Sequence, residues 1–225
     1  MSNPNLEEAL PEDVCARARR RMVREQIQDR GIRDERVLHA MCCVPRDQFV
    51  PDYLRDSAYD DCALPLDHGQ TISQPFIVGF MTDALELRPD DRVLEIGTGC
   101  GYQSAVLSLL AKDVYSIEIV EPLAMEAAER LRRLGYTNVH TRCGDGHLGW
   151  PEVAPFDAVI VTCAPEEVPS PLVAQLREGG RMMIPVGAPG VQELLLLTKE
   201  DGELRRFKTM QVRFVPMTGE EQEDQ

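Results

Sequence analysis

The 225-residue chain lacks any long apolar run. Its uninterrupted apolar stretches, such as Val159 to Val161 and Leu194 to Leu197, fall far below the ~20 residues that a spanning helix needs, so no membrane segment is expected. The opening residues Met1 to Glu8 carry neither a basic region nor an apolar stretch, so the expectation is a cytoplasmic protein without a secretory leader. Cysteines number seven, an odd count with no Cys-x-x-Cys. That argues against a disulfide framework and a structural zinc site. Lysines are only three (112, 199, 208), and the formal charge is −14, which speaks against nucleic acid as a partner. Eight arginines between Cys15 and Arg36 are mixed with Glu25, Asp29, Asp34 and Glu35, as on a solvated helix face.

With 43% hydrophobic and 28% charged residues, the chain can bury one sizeable core. No repeat or linker divides it, and one domain is expected over 1–225: a helical and irregular N-terminal cap over 13–66, a core over 67–217 and an acidic tail over 218–225. Apolar spacing predicts a helix over 13–30 closed by Gly31, then a second capped by Asp34. Residues 45–72 read as irregular. From Ser73, Ile77, Phe80, Met81, Ala84 and Leu85 fall on one helical face, with Pro75 in the first turn and Ser73 as expected N-cap.

Strand and helix patterns then alternate: strand 92–97, helix 102–111, strand 113–119, helix 122–134, strand 139–143, strand 156–162, helix 171–178 ending at Gly179-Gly180, strand 181–186. Such alternation implies βαβ units, hence an α/β fold with a mostly parallel, doubly wound, Rossmann-like sheet. Glu200-Asp201-Gly202 between two further apolar segments signals a closing antiparallel hairpin.

Three loops follow strand ends and converge on one sheet edge. Val93 to Gly101 runs from a buried-type strand into Gly97-x-Gly99-x-Gly101, where glycine lets the backbone approach a ligand closely. Tyr102 stands where a dinucleotide fingerprint needs its last glycine, so the spacing suits a cofactor without a pyrophosphate, such as S-adenosylmethionine. Glu118 ends the next strand, 21 positions after Gly97, where an acid can accept from two ribose hydroxyls. Gly144-Asp145-Gly146 brings Asp145 or the Gly146 amide to where adenine would lie, although an Asx turn alone would explain Asp145. A fourth segment, Gly69-Gln70-Thr71-Ile72-Ser73-Gln74-Pro75, carries more hydrogen-bonding capacity than a helix cap requires.

These segments, with Val44-Pro45-Arg46, Phe49-Val50-Pro51, Pro155 to Thr162, Gly179 to Gly187 and Val212-Arg213-Phe214-Val215-Pro216, resemble protein-L-isoaspartate O-methyltransferases over about Arg21 to Met217. The glycine loop is general to class I methyltransferases; the Gly69–Pro75 and Val212–Pro216 segments are specific to this family. Departures are Cys100 where serine is usual, Cys163 where alanine is usual and Ile119 where an arginine often follows the acid.

The resemblance implies methyl transfer from S-adenosyl-L-methionine, leaving S-adenosyl-L-homocysteine, to the free carboxylate of L-isoaspartyl residues in proteins and peptides. The ester then closes to a succinimide, which begins repair. A carboxylate is already ionised at neutral pH, so neither a general base nor a metal is called for, and His39, His68, His140 and His147 receive no catalytic role. By resemblance Ser73 is the catalytic, orienting residue, hydrogen-bonding the isoaspartyl carboxylate or the cofactor edge. The cofactor is expected against Thr71, Ile72, Ser73, Glu95, Gly97, Thr98, Gly99, Gly101, Gln103, Glu118, Ile119, Asp145, Gly146 and Thr162. An RNA methyltransferase, a non-enzymatic adenosyl-binding module and a nicotinamide oxidoreductase are the competing readings. A monomer is expected, since no heptad or exposed apolar run suggests an interface.

Overall fold

The computed structural model describes residues 14–219; expectations for the first 13 residues and for the tail from residue 220 lie outside them. The first helix is α1 (Val14–Met22), which widens into a π-helical stretch over Val23–Gln28 before Gly31 turns the chain. The expected single helix over 13–30 is thus two kinds of turn, and together they bury Met22, Val23 and Ile27 on one side. Helix α2 (Glu35–Cys43) begins as expected, with the Asp34 carboxylate accepting from the Arg36 N–H at 2.8 Å. The Arg36 guanidinium donates to the Leu87 and Leu110 carbonyls at 2.6 and 2.9 Å, which pins α2 to the core. Residues read as irregular form short 3₁₀ turns and a two-stranded ribbon, β1 (Leu64–Pro65) against β2 (Thr71–Ile72).

Helix α3 (Pro75–Ala84) corrects one expectation. Its N-cap position is held by Gln74, which makes no side-chain cap bond, not by Ser73. The physical reason is Pro75: its fixed φ starts the helix at that residue and keeps the residue before it extended. Ser73 therefore stands one position too early to cap.

The main sheet has seven strands: β3 (Arg92–Ile96), β4 (Asp113–Glu118), β5 (Val139–Cys143), β6 (Phe156–Val161), β7 (Leu176–Val186), β8 (Gln192–Glu200) and β9 (Glu203–Val212), in the order β5-β4-β3-β6-β7-β8-β9. Strands β5 to β7 are joined in parallel through β3 and β6, while β7-β8-β9 form an antiparallel meander. Helices α4 (Tyr102–Ser108), α5 (Glu121–Arg133) and α6 (Ser170–Gln175) connect the parallel strands. The central parallel strands β3 and β6 are buried on both faces, as strands inside a parallel sheet are. Val93, Ile160 and Met183 pack with α3, α4 and the N-terminal cap; Leu94, Val159, Val161, Met182 and Ile184 pack on the other side with Leu172 of α6.

A second correction concerns Gly179-Gly180. Helix α6 stops at Gln175, and the glycine pair lies inside β7, where the register against β6 shifts. A side chain at Gly180 would stand 2.9 Å from the Asp157 carbonyl oxygen, so the pair serves a bulge and not a helix end.

The Asp34 cap gives a direct check on the local reading. Asp34→Ala is expected to lower unfolding stability by about 1 kcal/mol in urea titration without changing the m-value.

Candidate active site

The strand order reverses between β3 and β6, and in open α/β sheets ligands bind beyond the carboxyl ends of the strands at such a point. A cavity of about 370 Å³ opens there, with a smaller recess of about 40 Å³ beside it. Gly97, Gly99, Ile117, Glu118, Ile119, Gly146 and Thr162 line it from the sheet edge, and Gln70, Thr71, Ser73 and Gln74 line it from the ribbon and the start of α3. Ile72, Thr98 and Gln103 line the recess.

The glycine loop is held from several directions. Gly97 N–H donates to the Ile117 carbonyl at 2.8 Å, continuing the ladder between β3 and β4. Thr162 Oγ1 donates to the Gly97 and Ile96 carbonyls at 2.7 and 3.0 Å. Gly97 sits at φ +93°, and a Cβ there would stand 2.5 Å from Thr162 Oγ1; only glycine fits. Buried Glu118 spans the loop and the next turn: Oε2 accepts from Gly99 N–H at 2.8 Å and Oε1 from Val120 N–H at 3.0 Å. Around Gly99 a Cβ would meet nothing within 4 Å, so the loop backbone faces open space at this point.

Three residues expected at the cofactor do not line the cavity. Glu95 is fully buried beneath the loop on the side facing α4, where its Oε2 accepts from the Ser104 hydroxyl and, at 2.7 Å, from Ser116. Ser116 in turn pairs with Thr98 Oγ1 at 2.6 Å. Gly101 begins α4 at φ +89° and packs against Leu131, 3.1 Å from where its Cβ would be. Asp145 turns its Oδ1 back on its own chain, accepting from the His147 backbone N–H at 2.9 Å and standing 3.0 Å from His147 Nδ1. At this loop the cavity meets Gly146, where a Cβ would stand 2.3 Å from Ile96 Cγ2. Gln103 reaches sideways, donating to Thr82 Oγ1 at 2.9 Å and so tying α4 to α3.

Sequence reasoning missed the far wall. Gln211 to Thr218 lie over the cavity as a strap, anchored where Ala164 N–H donates to Val215 O at 2.8 Å and Met217 N–H to Ala164 O at 2.9 Å. The Val212–Pro216 segment was a visible signal, but nothing local to it indicates that it closes over loops 50 and 100 residues away.

Residues 17–222 match the family described as Protein-L-isoaspartate(D-aspartate) O-methyltransferase. A relative from Opitutus terrae named protein-L-isoaspartate O-methyltransferase is 58% identical over 203 residues, covering 90% of this chain and 87% of its own. Another of that name, from a Picosynechococcus species, is 50% identical over 211 residues, covering 92% and 95%. A solved protein-L-isoaspartate O-methyltransferase superimposes with a TM-score of 0.82 at 31% identity; the match covers 89% of this chain and 66% of that longer one. A Plasmodium falciparum structure in complex with S-adenosyl-L-homocysteine shares the fold, with a TM-score of 0.76 at 24% identity over 89% of this chain and 98% of its own.

Two titratable groups at the site are perturbed by burial. The Cys163 thiol is pushed up to about 12 by burial and then by the Glu118 carboxylate, so it is an inert wall of the cavity. Burial raises Glu95 to about 7, against the opposing hydrogen bonds from Ser104 and Ser116. An acid raised in the folded state contributes stability below its ordinary range, and that contribution is lost as pH rises through about 7. In urea unfolding between about pH 5 and about pH 8, wild type should lose up to about 3 kcal/mol relative to Glu95→Gln, an isostere that cannot ionise. A constant difference would contradict the assignment.

Proposed function

Because the chain belongs to the protein-L-isoaspartate O-methyltransferase family, we propose that the sheet-edge cavity is where a methyl group passes from S-adenosylmethionine to the free carboxylate of an L-isoaspartyl residue. The protein is an S-adenosylmethionine-dependent carboxyl methyltransferase acting on isoaspartyl proteins and peptides. The observation that carries the placement is that Thr71, Ser73 and Gln74 line the same cavity as Gly97, Gly99 and Glu118.

The residues present suit the cofactor. The open backbone at Gly99 leaves room for an amino acid moiety against the loop. Each Glu118 oxygen accepts one backbone N–H and keeps capacity for one ribose hydroxyl. With Asp145 engaged by His147, the adenine edge falls to the Gly146 backbone, and Ile119, 38% exposed at the rim, offers the ring an apolar flank.

S-adenosylmethionine, when bound, supplies a methyl group on a sulfonium that is already a good leaving group. The chain's task is then to place an ionised carboxylate in line with it and keep water away. Orientation of this kind can contribute roughly 7–11 kcal/mol. Ser73, half-buried on the wall opposite the glycine loop, is the orienting donor to the carboxylate. After transfer, the backbone nitrogen of the residue that follows attacks the methyl ester and expels methanol, closing the succinimide without further help from the protein.

The same reading makes the protein a cytoplasmic monomer. In support, all seven cysteines are free thiols, and the outer strand β9 carries Arg205 and Lys208 paired to Glu200 and Glu193, charges that discourage pairing of sheet edges.

The direct test offers labelled S-adenosylmethionine with paired peptides containing isoaspartate or aspartate. A base-labile methyl ester should form on the isoaspartyl peptide alone; equal labelling of both, or none, would overturn the function. Ser73→Ala should lower kcat by about 10²-fold, far more than it changes cofactor affinity, and unchanged turnover removes Ser73 from the mechanism. Glu118→Ala should weaken cofactor binding by about 10- to 100-fold in calorimetric titration, and wild-type affinity contradicts the ribose assignment.

A further inference from the structure

Gln74 holds the N-cap position of α3 without capping it. Its side chain is instead fixed across the rim of the cavity. Nε2 donates to Asp61 Oδ1 at 2.7 Å and to the Asp61 carbonyl oxygen at 3.2 Å. Both partners are acceptors only, so the amide has one sensible orientation: the NH₂ end faces Asp61 and the oxygen end faces away from it. Asp61 is held in turn by Arg30, whose guanidinium lies 3.2 Å from Asp61 Oδ2 and 3.6 Å above the centre of the Phe76 ring. Gln74 is half-buried and lines the cavity next to Ser73. The site thus presents a hydroxyl and an oriented amide on consecutive residues.

The substrate's chemistry makes that adjacency informative. In an L-isoaspartyl residue the amide nitrogen and the free carboxylate are attached to the same carbon. In an ordinary aspartyl residue a methylene separates the carboxylate from the carbon that bears the nitrogen. We propose that Gln74 determines specificity: its side-chain oxygen accepts the N–H of the isoaspartyl residue whose carboxylate Ser73 holds, so the pair gauges the short spacing between the two groups. Ordinary aspartate can satisfy one partner only, and a polar group left unpaired in a closed site disfavours the wrong substrate. This rests on the methyltransferase reading above, and it assigns Asp61 as a positioning residue that fixes the amide.

The test compares wild type with Gln74→Met, which keeps bulk and loses the acceptor, on three peptides: isoaspartyl, aspartyl, and an isoaspartyl analogue in which an ester oxygen replaces the isoaspartyl N–H. In wild type the ester analogue should lose about 10-fold or more in kcat/KM. In Gln74→Met the isoaspartyl peptide should fall by a similar factor, the ester penalty should vanish, and the preference for isoaspartate over aspartate should narrow, all with wild-type affinity for S-adenosylmethionine. Asp61→Ala should raise KM for the isoaspartyl peptide and leave kcat in place. An ester penalty that is equal in wild type and Gln74→Met overturns the proposal while leaving the methyltransferase function standing, and so does loss of cofactor binding in Gln74→Met. No transfer by wild type to any peptide overturns both.

Discussion

The site depends on one carboxylate. Glu118 ends β4, and its two oxygens hold the N–H groups of Gly99 and Val120. A loop of alternating glycines has little stiffness of its own: Gly97, Gly99 and Gly101 all lie at positive φ, a conformation that glycine enters and leaves at small cost unless the surroundings hold it. A charged acceptor in a buried position is about twice as effective as a neutral one, and here it holds the loop from the neighbouring strand. The Thr162 hydroxyl grips the same loop from β6 on the other side. The glycine loop, the end of β4 and the wall beyond β6 are therefore held together before any ligand arrives, which reduces the ordering that binding requires.

A preorganised edge also suits the methyl transfer proposed above, in which an ionised carboxylate meets an activated methyl donor and the barrier is one of approach. The chain meets it with walls from distant parts of the sequence: the Gln70–Gln74 stretch, the sheet edge, and the Gln211–Thr218 strap clamped by Ala164. The buried set below the loop, Glu95 with Ser104, Ser116 and Thr98, reaches the site only through Thr98 at the recess and fixes how the loop sits on α4.

Much of this was legible in the sequence because parallel strands are buried on both faces and read as largely apolar runs, as at Val93–Ile96, broken by Glu95, and at Ala158–Val161. Asp34 capped as expected, and Asp201-Gly202 made the hairpin, since both are set by local hydrogen bonding and φ preference. The failures are long-range or competitive. Pro75 took the start of α3 from Ser73, and Gly179-Gly180 formed a bulge because Asp157 of the neighbouring strand approaches there. Asp145 accepts from the His147 N–H in its own turn, and Glu95 bonds Ser104 and Ser116 beneath the loop, partners that the strand and loop pattern does not specify. The strap was invisible as a wall because its place is decided by pairing with Ala164, some 50 residues earlier.

Amide hydrogen exchange tests the central claim most directly. Gly99 and Val120 depend on the Glu118 side chain, whereas Gly97 is bonded to the Ile117 backbone and serves as an internal control. In Glu118→Ala the account predicts that the Gly99 and Val120 amides lose their protection while Gly97 and the core strands keep theirs. Protection at Gly99 and Val120 that matches wild type would show that the loop is held by something else, and the account would be wrong.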